Sequence, residues 1–160
     1  MNSIIEALTI ATVLGAALMS GTFFAFSAFV MPALNRLEPQ HAIEAMKSIN
    51  IKVINPLFLT AFIGTALTCL AIAAFSLTQE MPMQDRMMLI AVEVLYLGAT
   101  VLLTVKGNVP LNNALAKADP HPEDAKSIWD SYQRPWTRLN HIRTIAPLGA
   151  VLLLFLISHS

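Results

Sequence analysis

Charged side chains are scarce in this chain of 160 residues. Asp, Glu, Lys and Arg make up 12% of it and apolar residues 56%, whereas a typical soluble domain is about 25% charged. Ten basic and ten acidic residues cancel, so the chain has neither the basic excess of a nucleic-acid-binding protein nor the acidic tail of a disordered binding arm. Composition excludes a water-soluble fold. It predicts a small integral membrane domain in a lipid bilayer, with no nucleic-acid partner.

Several chemical motifs are also missing. The single cysteine, Cys69, excludes an intrachain disulfide. There is no Gly-rich phosphate loop, no nucleophile elbow and no Cys-x-x-Cys pair. The histidines lie in separate segments, which argues against a haem or a His-bound metal; they are His41, His121, His141 and His159. The sequence therefore predicts no cofactor.

One metal alternative stays open. Four methionine thioethers, which are soft ligands for copper(I), lie close together in the sequence: Met81, Met83, Met87 and Met88. Methionines more often fill irregular packing gaps. We therefore predict packing here, with copper as the minor alternative.

Long apolar runs dominate the rest of the chain. Residues 7–30, 56–77 and 87–106 each supply the roughly 20 apolar residues that a membrane-spanning helix needs. A fourth helix that starts near Pro135, a good first-turn residue, spans residues 136–157. The first run lacks the basic flank of a signal peptide and is too long for one. We predict an all-α fold, a transmembrane four-helix bundle that forms a single membrane domain over residues 1–160.

Basic residues are unequally distributed between the two sides of this predicted bundle. Nine of the ten belong to the first and third connections or flank them, and only Arg86 lies on the other side. By the positive-inside rule, both of those connections are cytoplasmic and both termini are outside. This predicts a multi-pass protein of the inner or plasma membrane.

The two basic connections carry helical patterns. Apolar residues recur at helical spacing in the first, which predicts an amphipathic helix on the membrane face: Ala42, Ile43, Met46, Ile49 and Val53. In the second, Glu123 and Asp124 open a short helix that contains Trp129 and Tyr132. Pro135 is expected to break that helix before the fourth span. We thus predict short amphipathic helices in both connections.

A polar stripe follows the third span at helical spacing: Glu93, Tyr96, Thr100, Thr104 and Asn108. An ionisable group at membrane depth is costly and by default indicates function. Two interpretations of Glu93 remain open. It is either a functional ionisable group or a protonated carboxyl that bonds Tyr96 or a hydroxyl of the first span.

A second polar stripe begins the fourth span and consists of Trp136, Asn140, Arg143 and Pro147. An arginine near a helix end can extend to the lipid headgroups. Because Arg143 shares its face with Asn140 and Trp136, we predict that it points into the bundle.

Amides and aromatic residues are concentrated at the same level. The amides are Asn50, Asn55, Asn108, Asn112, Asn113 and Asn140. Some of them suit helix caps or turns, and Trp129 also suits a simple membrane anchor. Together with Trp129, Tyr132 and Trp136, they predict a pocket with aromatic walls, amide donors and one guanidinium group.

Short motifs follow one another along nearly the whole chain. They are Met31-Pro-Ala-Leu34, Met46 to Asn50, Asn55-Pro56, Asn108-Val-Pro-Leu-Asn112, and the set Trp129, Tyr132, Trp136, Asn140 and Arg143. In order and spacing they resemble the anthrone-oxygenase-like family of small four-helix membrane proteins. The resemblance implies the activity assigned to fungal members, which is oxidation of an anthrone to an anthraquinone.

The implied chemistry can be assigned to residues. The enolate of an anthrone can reduce dioxygen without a metal, so the site needs an oxyanion stabiliser, a base and an aromatic slot. Arg143 with Asn140 or Asn112 suits the oxyanion, and His141 is the nearest base, although it lies about 100° round the helix from Asn140. The expected substrate-binding residues are Trp136, Tyr132, Trp129, Asn108 and Asn50. The predicted function is a metal-independent oxygenase for an apolar polycyclic or phenolic small molecule.

Two other classes of protein remain open. A non-catalytic membrane module or subunit would use stripes of small and hydroxylated residues on the first two spans for assembly, including assembly into a homo-oligomer. The stripes are Thr9, Thr12, Ala16, Ser20 and Ser27 on the first span and Thr60, Gly64 and Thr68 on the second. A small solute or proton carrier would use the Glu93 stripe as its conduit.

Overall fold

The computed structural model describes residues 3–119 and 121–159. It contains five helices, named here α1 (Ser3–Leu34), α2 (Pro39–Lys52), α3 (Pro56–Ser76), α4 (Met83–Lys117) and α5 (Ala125–Ile157). All except α2 are long and apolar enough to cross a membrane, and these described residues form no strand. The predicted all-α bundle with four spans is confirmed, and the chain is a multi-pass membrane protein.

The outer surface of the bundle is apolar. Leu14, Leu67 and Ile145 are 66%, 60% and 69% exposed, respectively, on three different spans. Such a continuous apolar surface is costly in water. In a bilayer it is the surface that contacts acyl chains.

Helix α1 packs closely against both α3 and α5. A methyl group on Gly15 would lie 1.8 Å from Thr65 Oγ1 of α3. Thr12 Oγ1 donates to Thr68 Oγ1 at 2.7 Å, and on the other side Ser20 Oγ donates to the Thr144 carbonyl at 2.7 Å. This is the close approach that small and hydroxylated residues permit between membrane helices.

Three segments of the spans are π-helical: Phe26–Val30, Val94–Leu102 and Thr104–Asn108. In an ordinary α-helix, four residues turn about 400°, so a stripe at spacings of four drifts by about 40° at each step. The wider π-helical turn offsets this drift. Tyr96, Thr100 and Asn108 are accordingly all 0–1% exposed, so most of the polar stripe of the third span faces the interior.

The prediction that Pro135 breaks the chain between a short helix and the fourth span is wrong. Helix α5 runs without interruption from Ala125 to Ile157 and contains both Pro135 and Pro147. Pro135 removes the hydrogen bond to the Ser131 carbonyl, but Ser131 is exposed, so this carbonyl is accessible to water. Tyr132 and Trp136, on either side of the proline, are buried and hold the two turns in line.

One end of the bundle, called the basic end below, carries α2 and nine of the ten Lys and Arg residues. The amphipathic helix predicted there is confirmed. Helix α2 buries Ala42, Ile43 and Met46 completely against α5 and the last turns of α4. Lys47 Nζ donates to the Ala118 carbonyl at 2.5 Å and so ties α2 to the end of α4.

The buried apolar residues form two clusters. The span cluster lies between the four long helices and includes Met19, Phe62, Cys69 and Tyr96. The cap cluster lies at the basic end, where α2 and the ends of α1, α4 and α5 meet. The candidate site lies between the two.

Candidate functional site

A pocket of about 270 Å³ lies at the basic end, close to the volume of a small-molecule site. All five helices contribute to its lining. Its polar side chains are Thr22, Asn50, Thr104, Asn112 and Arg143. The rest of its wall is apolar, so the pocket suits a mainly apolar molecule with few polar atoms.

Arg143 is the only charged residue in this lining. Its side chain is 4% exposed, which confirms the predicted inward orientation. No ion pair joins Arg143 to an Asp or Glu within residues 3–119 and 121–159. A buried cation without a counter-ion is unfavourable, and an anionic ligand in the pocket would compensate it.

Two of the three guanidinium nitrogens of Arg143 are held in place. Nη2 donates to Asn140 Oδ1 at 2.8 Å and Nη1 donates to Thr104 Oγ1 at 3.3 Å. Nε is buried and has no partner in the described part of the chain. The group also lies 4.4 Å from the centre of the Phe23 ring and 5.1 Å from that of Trp136, at cation–π distance.

Asn140 fixes the orientation of Arg143. Its Nδ2 donates to the Phe23 carbonyl at 2.7 Å and to Ser27 Oγ at 2.8 Å, which leaves Oδ1 to accept from the guanidinium. Asn140 is fully buried and does not line the pocket. Its contacts give it a positioning role, behind the arginine.

Asn112 is oriented by two donors on α5. The Tyr132 hydroxyl and Trp136 Nε1 both donate to its Oδ1, each at 2.9 Å. Because an indole N–H can only donate, this oxygen must face α5. Asn112 Nδ2 has no acceptor among the described residues and belongs to a pocket-lining side chain, so it is a second donor available to a ligand.

Aromatic rings form much of the pocket wall. Trp136 was predicted from the sequence, whereas four phenylalanines on α1 and α3 were not: Phe23, Phe26, Phe58 and Phe62. Phe58 and Phe62 are stacked, with ring centres 5.7 Å apart, and Phe26 lies 5.5 Å from Trp136. A signal was present, since Phe58 and Phe62 are spaced by one helical turn directly after the Asn55-Pro56 cap.

His141, the expected base, lies outside the pocket lining. It is exposed on the outer side of α5, where its Nδ1 is 3.0 Å from Ser27 Oγ. It reaches Arg143 only through Ser27 and Asn140. No carboxylate or imidazole lines the pocket in the described structure.

The other predicted binding residues are divided between the pocket and the cap. Asn50 lines the pocket, and its Nδ2 lies 3.5 Å from the Tyr132 hydroxyl. Tyr132 does not line the pocket, and its hydroxyl orients Asn112, which does. Trp129 is buried in the cap cluster, with its Nε1 bonded to Asn35 Oδ1 at 2.8 Å, and Asn108 Nδ2 bonds the Trp136 carbonyl at 3.2 Å. Trp129 and Asn108 thus lie beside the pocket and not in its lining.

The polar stripe on α4 is mostly satisfied by backbone carbonyls. Tyr96 donates to Phe62, Thr100 to Leu95 and Thr104 to Thr100. Glu93, at the far end, is half-buried, and its Oε2 lacks a partner within the described ranges. Only the Tyr96 bond joins two helices, α4 and α3, whereas Thr100 and Thr104 bond carbonyls of α4 itself. Glu93 is separate from the pocket.

The four methionines considered for copper have different surroundings. Met81 packs against the span cluster, whereas Met83 and Met87 are 70% and 57% exposed. Across residues 3–119 and 121–159, no group of three His, Cys, Asp or Glu side chains is placed to hold a metal ion.

Comparison with known proteins gives one match. A family model described as anthrone oxygenase matches residues 56–153, which is more than half of the chain and contains α3, α4 and nearly all of α5. The matched segment carries Asn112, Trp136, Asn140 and Arg143. No curated protein sequence and no solved structure matches the chain.

Proposed function

This chain belongs to the anthrone oxygenase family, and we propose that its pocket binds an apolar polycyclic ketone or phenol as the anion and promotes its oxidation by dioxygen. The substrate class is a flat aromatic molecule with one acidic oxygen. The residues assigned to binding and catalysis are Arg143 and Asn112 as oxyanion donors, with Trp136 and the phenylalanines of the wall around the rings.

The observation that carries this proposal is the buried, unpaired guanidinium of Arg143. Donors fixed in advance around a developing negative charge are worth most in apolar surroundings. Arg143 is held by Asn140 and Thr104, and Asn112 is held by Tyr132 and Trp136. Neither donor must reorganise when the oxyanion forms.

For an anthrone, the reaction consumes one dioxygen and releases one water. The ring methylene loses a proton to give the enolate, whose oxygen lies against Arg143 and Asn112. One electron passes from the enolate to dioxygen, and the two radicals join to form a carbon–oxygen bond. The resulting hydroperoxide, once protonated, loses water as its second C–H bond breaks, and the methylene becomes the second carbonyl of the anthraquinone.

The substrate supplies all the electrons in this scheme. The pocket stabilises the enolate, so the electron-rich form accumulates where dioxygen, which dissolves well in apolar surroundings, can reach it. Because the lining of the described structure contains no carboxylate or imidazole, we assign the departing proton to water and not to His141.

We also propose that the basic end faces the cytoplasm and both termini face outward across the inner or plasma membrane. The proposal rests on nine of ten basic residues being at one end. The test is a reporter enzyme that works only outside the cytoplasm, fused to the C-terminus. This fusion is expected to be active. A reporter that works only in the cytoplasm would reverse the orientation.

The direct test incubates purified protein with anthrone in air and follows quinone absorbance. The wild-type protein is expected to exceed the spontaneous rate, and Arg143→Gln is expected to return to it. Arg138→Gln, an exposed residue on the same helix, is the matched control and should behave as wild type. A wild-type rate equal to the spontaneous rate would contradict the proposed function.

A further inference from the structure

Helices α3 and α4 separate toward the basic end. Helix α3 packs against Met83–Glu93 and Val94–Leu102 of α4, and the Tyr96 hydroxyl donates to the Phe62 carbonyl at 3.1 Å. Beyond that level, the described residues of α3 have no extensive packing against Thr104–Asn108 or Val109–Lys117. A gap between the two helices therefore begins at the level of the pocket.

The residues along this gap line the pocket and are also exposed on the outer surface of the bundle. Leu59 of α3 is 36% exposed, and Val105 and Val109 of α4 are 54% and 39% exposed. All three line the pocket. We call this opening, formed by Leu59, Val105 and Val109, the lateral portal.

The chain next to the lateral portal is suited to lipid. Ile51, Ile54 and Leu57 are 71%, 69% and 79% exposed, and they run from the last turn of α2 through the short connection into the first turn of α3. Three large exposed apolar side chains in such a short segment are unfavourable in water. They suit the boundary between headgroups and acyl chains, so the portal opens at a depth where hydrocarbon is present.

On the aqueous side, the pocket is covered. Met46 of α2 is fully buried over it, and Tyr132 and Trp136 are each 4% exposed. The cap is fastened by the Lys47–Ala118 and Trp129–Asn35 hydrogen bonds. A ligand that arrives from water would have to displace the cap cluster.

We infer that the pocket receives its ligand sideways from the hydrocarbon layer, through the lateral portal. This inference rests on the proposed function for the ligand's chemistry, and it narrows the class to aromatic molecules that dissolve in acyl chains in their neutral form. Such a molecule crosses the portal uncharged and ionises only when its oxygen reaches Arg143. The order avoids moving an anion through lipid, which is costly.

Tryptophan fluorescence tests the portal without any substrate. The chain has two tryptophans, so Trp129→Phe leaves only Trp136 in the pocket wall and Trp136→Phe leaves only Trp129 in the cap. Each variant is reconstituted in vesicles whose lipids carry bromine, a contact quencher, on their acyl chains. Trp136 emission is expected to fall relative to unbrominated vesicles, and to fall more than Trp129 emission. Aqueous iodide is expected to leave Trp136 unquenched.

A portal variant sharpens this test. In the Trp129→Phe background, Val109→Phe narrows the opening and should reduce quenching by brominated lipid. Val94→Phe is the matched control, because Val94 is exposed on the same helix but does not line the pocket, and it should leave quenching unchanged. Stronger quenching by iodide, equal quenching of both tryptophans, or no quenching of Trp136 would overturn the inference.

The oxidation assay separates this inference from the proposed function. Lipid quenching of Trp136 without anthrone oxidation would support the portal and contradict the oxygenase. Oxidation without lipid quenching would support the oxygenase and require access from the aqueous side.

Discussion

The two halves of the bundle use similar polar residues in different ways. Away from the basic end, α3 packs against both α1 and α4, and hydroxyls at these contacts have acceptors on the facing helix, as Thr12 has in Thr68 and Tyr96 in the Phe62 carbonyl. At the basic end the same helices diverge around a pocket. There Arg143 Nε has no partner among the described residues, and Asn112, whose Oδ1 accepts both bonds from α5, keeps its Nδ2 for a ligand.

This difference shows which polar residues point to a site. Polarity inside a membrane bundle does not by itself indicate function, since hydrogen bonds between helices are part of ordinary packing. The informative feature is a donor that is rigidly held and left unsatisfied. By this criterion the basic end carries the site, and the Thr12–Thr68 region carries the packing.

The largest effect is expected at Arg143. Arg143→Gln removes the cation while keeping an amide near Asn140, and the oxidation rate should fall by about 10²–10³, the loss typical of a missing oxyanion donor. Arg143→Lys keeps the charge without the planar fork and should give an intermediate rate. Thermal unfolding of each variant in detergent checks the fold, and a fully active, folded Arg143→Gln protein would contradict the assigned role.

A substitution at Asn112 can distinguish its hydrogen bond to the ligand from its contribution to protein stability. Asn112→Asp keeps acceptors for Tyr132 and Trp136 but gives Arg143 an internal counter-ion and removes the amide donor. Oxidation should fall by about 10- to 100-fold, as for a lost hydrogen bond to a charged group, with little change in unfolding temperature. Asn113→Asp, at an exposed neighbour, is the control. If it impairs oxidation equally, the effect is one of charge at this end and not of the pocket.

In the packed half, the expected effect is on stability. A methyl group at Gly15 would collide with Thr65, so Gly15→Ala should lower the free energy of unfolding by about 1–3 kcal/mol. Gly64→Ala is the matched control, because nothing lies within 4 Å of its added methyl. It should instead stabilise the helix by up to about 1 kcal/mol. Equal effects in denaturant titrations would mean that α1 and α3 are not closely packed.

The smallest effect is expected at Glu93. It lies outside the pocket lining, so Glu93→Gln should change anthrone oxidation by less than about twofold, within the range of a substitution remote from the site. Proton flux in proteoliposomes should also be unchanged. A loss of flux in Glu93→Gln would instead support the carrier alternative.

Much of the fold follows from the sequence because a bilayer imposes simple length and polarity rules. The four spans, α2 and the inward face of Arg143 were predictable from apolar runs and helical spacing. The continuity of α5 through Pro135 was not, since it depends on Tyr132 and Trp136 binding one amide from α4. Sequence rules for proline consider only neighbouring residues of the same helix, so they cannot predict that tertiary contact.

Part of the site was also predictable, because a bilayer makes polar residues at membrane depth conspicuous. Arg143, Asn112, Trp136 and Asn50 could be grouped because their residue types are unusual at membrane depth. The phenylalanines could not, because an aromatic residue in an apolar span is indistinguishable from a lipid-facing one until the helices are placed. His141 directly follows Asn140 and lies about 100° further round the helix. Whether it faces the pocket depends on how α5 is rotated in the bundle, and the sequence does not specify that rotation.

The central claim is that Arg143 holds the anionic form of an aromatic ligand in the pocket. It is tested most directly with 2-hydroxyanthraquinone, whose absorbance moves to longer wavelength on ionisation, titrated with pH in the presence of protein. Wild-type protein should shift the colour change of the bound dye to lower pH than in protein-free vesicles, and Arg143→Gln should abolish that shift. A bound dye that ionises at the same pH with wild-type and Arg143→Gln protein would contradict the account.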